Sequence, residues 1–416
     1  MEKRRVAVTG LGALSPIGNN LNDIWDALMQ GRSGVAKITL IENLDGFSSQ
    51  IAAELKNWDP LEHFPAKEVR HMDPFSLYGV VAARSAMQDS GLDLDALDKE
   101  RAGVIVSTGV GGLQILFQQS NLYTARGPRR FSPFMIPQMI TNIVAGQVAI
   151  EYGLKGPNYC VTTACATATH SLGDAMRIIM TGEADVMLAG GSEAPICELG
   201  VGGFCAMRAL STRNDEPERA SRPFDAERDG FVIGEGAAVL VLEELEHAKA
   251  RGAHIYCEIS GFGRTCDASH ITAPDSTGSG AARAMVQAFT EAGLKPEDID
   301  YINAHGTSTP LNDAGETKAI KLALGEENAH RTMVSSTKSM TGHMLGAAGG
   351  MEALICALTL DKQMVAPTIN YENPDPECDL DYVPNEARAA EVNACLSNSL
   401  GFGGHNGSLC LKRFQD

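Results

Sequence analysis

The sequence predicts a layered α/β protein, on three observations. Short apolar runs alternate with helix-period stretches from end to end. At 416 residues the chain is too long for one ordinary core, so two domains or two fused halves are expected. Hydrophobic residues at 44% and charged residues at 21% are enough apolar material to fill a packed interior.

The strands are expected at 5–9, 103–107, 158–163, 185–190, 237–243, 255–261, 301–304, 332–336, 394–398 and 408–412. Each is a short run of apolar or small residues, and most end in a Gly, Ser, Thr or Asn turn. Helices are expected at 21–30, 74–90, 142–152, 167–181, 280–292, 316–324 and 350–361, where amphipathic or small-residue-rich stretches lie between those runs. A join between halves fits near 245–254. The polar stretch 211–229 reads as a surface excursion. A weak internal repeat sets 161–176 over 334–349 without gaps, each copy following a strand and entering a helix.

Charge and cysteine usage narrow the class. A net charge of −18 excludes a general nucleic-acid binder, which needs a basic footprint. The N-terminus leads straight into a Val-rich run and a Gly turn with no apolar signal core, and no stretch approaches a membrane span. The ten cysteines are scattered, with no C-x-x-C pair, and read as reduced, mostly buried small residues; no structural zinc site is expected.

Four turns carry candidate chemistry. In TTACATATHSLGDAM, Cys165 falls between a strand and a helix, where unpaired N–H groups and the helix dipole lower a thiol pKa and make a nucleophile. In NAHGTST, His305 follows a strand, Gly306 permits close backbone approach, and Thr307 and Thr309 offer hydroxyls at alternate positions to a polar ligand. In SSTKSMTGH, Lys338 and His343 stand among small neighbours, with Glu352 close enough in sequence to pair with the lysine. In SLGFGGHNG, glycines flank Phe402, as in a backbone that bends sharply around a gating aromatic; the segment lacks the ending of a P-loop. Read singly, each has a plainer alternative: a buried cysteine, a structural histidine, a solvated lysine, a tight hairpin. Together, one thiol, two imidazoles and one ammonium at strand-end turns fit acyl transfer followed by carbanion chemistry.

On TAC, NAHGTST, STKSMTGH and GFGG, with VAVTGLGALSPIG, GVGGFCAMRALSTRND and SRPFDAERDGFVIGEGA, the chain resembles the beta-ketoacyl-acyl carrier protein synthases of the elongating type II class. The likeness covers nearly the whole chain. It implies a duplicated thiolase-like fold in αβαβα layers, with halves at 1–250 (carrying the cysteine) and 251–416 (carrying both histidines and the lysine), and a homodimer. It also implies a cytoplasmic transferase of fatty acid biosynthesis that partners acyl- and malonyl-loaded acyl carrier protein and requires no metal or redox cofactor.

By the same resemblance, Cys165 accepts the acyl group and His305 and His343 promote malonyl decarboxylation. Lys338 supports that site and Glu352 supports Lys338. The Cys165 and Phe402 amides form an oxyanion hole, Phe402 gates, and Thr307 and Thr309 contact the phosphopantetheine arm. Val110, Phe204 and Phe231 fall where relatives line the acyl pocket, and a valine at 110 suggests medium to long chains. Lys67, Arg70, Arg129, Arg130 and Arg208 flank the entrance as a basic patch for the carrier protein. His405 stands where many relatives have threonine, which bears on fine specificity. The competing readings are a polyketide ketosynthase with the same residues, a thiolase acting on coenzyme A esters, and a non-catalytic chain-length partner, which characteristically lacks the cysteine.

Overall fold

The computed structural model describes residues 4–415. Most of the expected apolar runs form strands because they are covered on both faces. In β1 (Val6–Leu14) every residue is buried. With β2 (Ala102–Ser107), β3 (Val186–Glu193), β4 (Gly236–Glu244), β5 (Cys257–Cys266), β6 (Tyr301–Asn303), β7 (Met333–Ser335), β8 (Ala394–Gly401) and β9 (His405–Lys412) it forms one sheet. The order is β2-β3-β4-β1-β5-β9-β8-β6-β7.

That order repeats itself about the β1–β5 seam, where Ala7 and Val8 pair antiparallel with Glu258 and Cys257. Outward from β1 come antiparallel β4, antiparallel β3 and parallel β2. Outward from β5 come antiparallel β9, antiparallel β8 and parallel β6. The last position is β7 on one side and a single parallel bridge, Val104 to Asn158, on the other.

Helices complete the layers. α1 (Pro74–Ser90) starts on Asp73, whose carboxylate accepts the Phe75 N–H, has Pro74 in its first turn, and ends at left-handed Gly91; it covers β1, β3 and β4 from outside. α2 (Thr167–Met180) and α5 (Ala348–Lys362) lie between the two parts of the sheet: α2 packs on β3 and β9, α5 on β4 and β8, and each on the other. α3 (Ser279–Glu291) and α4 (Pro310–Leu324) form the opposite outer layer, α3 against β5 and β9 and α4 against α3. The result is helix, sheet, helix, sheet, helix. Both α2 and α5 are almost wholly buried, which explains their small-residue-rich sequences. Among the described residues no helix is long and apolar enough to cross a membrane.

Four expectations change. The strand expected at 158–163 reduces to the Asn158 bridge, because the Val161 N–H bonds to the Ser107 hydroxyl instead of a strand carbonyl. The helix expected from 316 starts at Pro310, since proline is tolerated at the first helical position. The repeat has a different register: the 3₁₀ turns Ala164–Ala166 and Leu345–Ala347 feed α2 and α5, so Thr167 matches Ala348, not Met340.

Lastly, 211–229 is a surface excursion only in part: Thr212, Asp215, Glu216, Glu218 and Arg219 are exposed, but Ser221, Arg222, Phe224 and Asp225 are buried. Arg222 bonds Asp225 at 3.1 Å and Glu372 at 3.0 Å, and Arg228 pairs with Asp375 at 2.5 Å. Phe224 stacks on Tyr382, centroids 4.0 Å apart. The buried guanidinium groups are each met by carboxylates, so polarity alone misplaced the buried part of the segment.

Candidate active site

The nucleophile candidate sits on a constrained turn. Ala164 has φ 52°, in the left-handed region that costs a non-glycine residue about 1–3 kcal/mol, and Cys165 follows it. The turn is fastened by Thr163 N–H to Thr167 Oγ1 (2.9 Å), Ala166 N–H to the Thr163 carbonyl (3.1 Å), and Thr163 Oγ1 to His170 Nδ1 (2.7 Å).

His305 leaves the end of β6. Its N–H and that of Gly306 both donate to the buried Glu316 carboxylate at 2.8 Å. Gly306 is required here, because a Cβ would lie 2.5 Å from that of Ser336. His343 is clamped like a strand residue: its N–H donates to the Val232 carbonyl (2.7 Å) and its carbonyl accepts from Gly234 (2.9 Å). Phe231 meets its ring edge-on at 5.4 Å.

The structure brings these groups together. Cys165 Sγ and a ring nitrogen from each of His305 and His343 lie within 4.8 Å of one another. Lys338 is buried behind them, paired with equally buried Glu352, and its charge reaches all three. Cys165, His305, His343 and Phe402 open onto one cavity of about 560 Å³, whose wall also includes Val110, Phe204, Phe231, Thr307 and Thr309. Phe204 and Phe231 pack edge to face at 5.2 Å, and the Thr307 and Thr309 hydroxyls are 3.0 Å apart.

Of the basic residues, Arg208 lines this cavity, while Lys67, Arg70, Arg129 and Arg130 are exposed and do not. The Gly403 N–H bonds to the Ile271 carbonyl at 2.7 Å, tying the glycine loop to the segment after β5.

The electrostatics correct one expectation. Burial pushes the Cys165 thiol up to about 12, against the pull of Lys338 and of the Phe402 backbone N–H; nearby Glu193 raises it further. Desolvation is the largest influence and outweighs Lys338 and the Phe402 N–H, so the free site holds a thiol. Burial, then Lys338, hold both His305 and His343 well below the usual imidazole range, so both rings are neutral. Burial also pushes the Glu352 carboxyl up, against Lys338. Neutral imidazoles beside a thiol can take its proton or donate hydrogen bonds to an oxyanion or enolate.

One sulfur and two ring nitrogens at this spacing also have the donor chemistry of a soft-metal site. A second such group, exposed Glu326, His330 and Asp379, is already spanned by Lys321, at 2.9 Å from Glu326 and 2.7 Å from Asp379.

Sequence reasoning missed Glu316, Leu345, the 232–234 clamp and Glu193. Glu316, Glu193 and the clamp act through backbone contacts between distant segments, and Leu345 is a cavity wall, none of which a local motif announces.

Fold and site together define a condensing enzyme, and the chain belongs to the beta-ketoacyl synthase family. Residues 3–248 match the family's N-terminal domain and 256–372 its C-terminal domain. It is 52% identical over 415 residues to the 3-oxoacyl-[acyl-carrier-protein] synthase 2 of Synechocystis sp., covering all of this chain and 99% of that one. The protein of the same description from Coxiella burnetii is 51% identical over 416 residues, both chains fully covered. Among solved structures, a beta-ketoacyl synthase from Burkholderia phymatum superposes with a TM-score of 0.92 at 37% identity, covering 99% of this chain and all of that one. A ketosynthase complex with a type II polyketide acyl-carrier protein gives 0.93, also at 37% identity and with the same coverage.

Proposed function

We propose that this chain is an elongating 3-oxoacyl-[acyl-carrier-protein] synthase, an acyltransferase of fatty acid biosynthesis. The observation that carries the reading is the meeting of Cys165, His305 and His343 within 4.8 Å in one apolar-walled cavity. Full-length identity to synthase 2 proteins, at 52%, exceeds that to the polyketide ketosynthase, at 37%, and favours fatty acid over polyketide chemistry. The retained Cys165 argues against a non-catalytic partner.

In the first half-reaction Cys165 Sγ attacks the thioester carbonyl of acyl-acyl carrier protein. The oxyanion is met by the Cys165 and Phe402 N–H groups, and the thiol proton leaves on the carrier's thiol. In the second, malonyl-acyl carrier protein loses carbon dioxide and its enolate oxygen is held by neutral His305 and His343. The enolate carbon attacks the Cys165 thioester, a carbon–carbon bond forms, the carbon–sulfur bond breaks, and the sulfur takes up one proton from solvent. The product is a 3-oxoacyl chain two carbons longer.

Lys338, held by Glu352, supports the two imidazoles. Thr307 and Thr309 contact the pantetheine arm, and Phe402 gates. Val110, Phe204 and Phe231 line the pocket for a medium to long acyl chain. Lys67, Arg70, Arg129, Arg130 and Arg208 form the carrier-protein patch. We read 1–250 and 251–416 as the two thiolase-like halves of a cytoplasmic homodimer. Mass spectrometry after incubation with acyl-acyl carrier protein tests this: an acyl adduct on Cys165, discharged by malonyl-acyl carrier protein, is expected. No adduct means that the reading is wrong.

A further inference from the structure

Glu193 ends β3 and is fully buried, yet it touches no ion partner among the described residues. Instead it accepts four hydrogen bonds. The Gly109 and Gly346 N–H groups donate to Oε2 at 2.8 and 2.9 Å, and the Val110 N–H (3.2 Å) and the Thr108 hydroxyl donate to Oε1. The donors come from opposite parts of the fold: Thr108–Val110 follows β2, and Gly346 lies in the turn that enters α5. Two residues of these segments, Val110 and Leu345, are cavity walls.

The glycines confirm that the carboxylate sets the approach. A Cβ on Gly346 would fall 2.3 Å from the Gly109 nitrogen and 2.5 Å from Glu193 Oε2, and one on Gly109 would fall 2.9 Å from that oxygen. Only an acceptor with both oxygens can satisfy all four donors.

We propose that Glu193 is a positioning residue that fixes the spacing of the Val110 and Leu345 walls and thereby sets the acyl-chain length the enzyme prefers. This rests on the function proposed above. Glu193 reaches no reacting atom. It pins two loops that would otherwise part, since a glutamine in its place turns an N–H₂ towards two of the donors and leaves them unsatisfied.

The test compares wild type, Glu193→Gln and the milder Thr108→Val. For each, kcat and KM for acyl transfer are measured with short- and long-chain acyl-acyl carrier protein. Cys165 alkylation is followed against pH. The expected result is a long-to-short kcat/KM ratio altered about tenfold in Glu193→Gln, the scale on which pockets discriminate chains, and altered less but in the same direction in Thr108→Val. The alkylation profile shifts to lower pH only in Glu193→Gln, where the charge beside the sulfur is removed. Should Glu193→Gln fail to fold, Thr108→Val carries the decision. An unchanged chain-length ratio in either folded variant, with wild type condensing normally, overturns the role of Glu193 alone. A wild type that forms no Cys165 adduct overturns the proposed function and this role with it.

Discussion

The imidazoles of His305 and His343 stand edge to face, centroids 5.3 Å apart and planes crossing at 84°. They come from turns fastened by different partners, Glu316 for one and the 232–234 segment for the other. Neither Nδ1 has a hydrogen-bond partner among the described residues. Two rings so placed aim separate nitrogens at one small volume beside the sulfur.

Their neutrality has a pH consequence. Both rings stay unprotonated in the folded site below the ordinary histidine value, because burial and Lys338 disfavour the cation. Malonyl decarboxylation should therefore hold its rate as pH falls through 6.5, the unperturbed value. A loss centred near 6.5 in initial-rate measurements would contradict the buried, neutral pair.

Cys165 should behave as a protonated thiol. With its thiol pushed up to about 12, the thiolate fraction grows as pH rises and has not levelled off by pH 9. Iodoacetamide labelling of Cys165, followed by peptide mass spectrometry, should accelerate about tenfold per pH unit in that range. A plateau near neutrality would mean that the helix-start effect wins after all.

Replacing Cys165 by alanine separates the half-reactions. The acyl adduct should vanish, while decarboxylation of malonyl-acyl carrier protein, which uses His305 and His343, continues. Carbon dioxide release measured without acyl donor decides it.

Val110 lies on the cavity wall and is partly open to it. In Val110→Phe the larger ring fills the path of a long chain. Extension of long primers should fall at least about tenfold while short primers are spared. Product lengths read by chromatography check this.

Lys338 and Glu352 are an ion pair without solvent. Glu352→Ala leaves an ammonium buried alone and should destabilise the fold by about 3–5 kcal/mol. The double replacement Lys338→Met with Glu352→Leu should be milder in urea unfolding, although inactive.

Reversing Arg129 and Arg130 to glutamate should raise the KM for acyl carrier protein at low salt and leave kcat nearly unchanged. Equal KM values would remove both arginines from the patch.

Much was legible because the informative residues sit in turns of small residues. A run such as VAVTGLGAL shows its strand by apolar content, and Cys165, His305 and His343 are conspicuous because each reactive side chain stands among Gly, Ala, Ser and Thr. Misreadings arose where the deciding contact was remote. Arg222 looked like surface until Asp225 and Glu372 enclosed it. The repeat shows in the sequence in the wrong register, since small residues match by chance, while the left-handed φ at Ala164 and Leu345 that marks true equivalence cannot be read from letters.

By itself the sequence determined the alternation of strands and helices and the chemistry on offer: one thiol, two imidazoles and an amine, each in a turn of small residues. Only the tertiary structure decided that these meet, that the thiol is protonated and the rings neutral, and that Glu193 binds two loops together. Meeting depends on strand order across the β1–β5 seam, and protonation depends on how completely water is excluded. Both are properties of the packed whole.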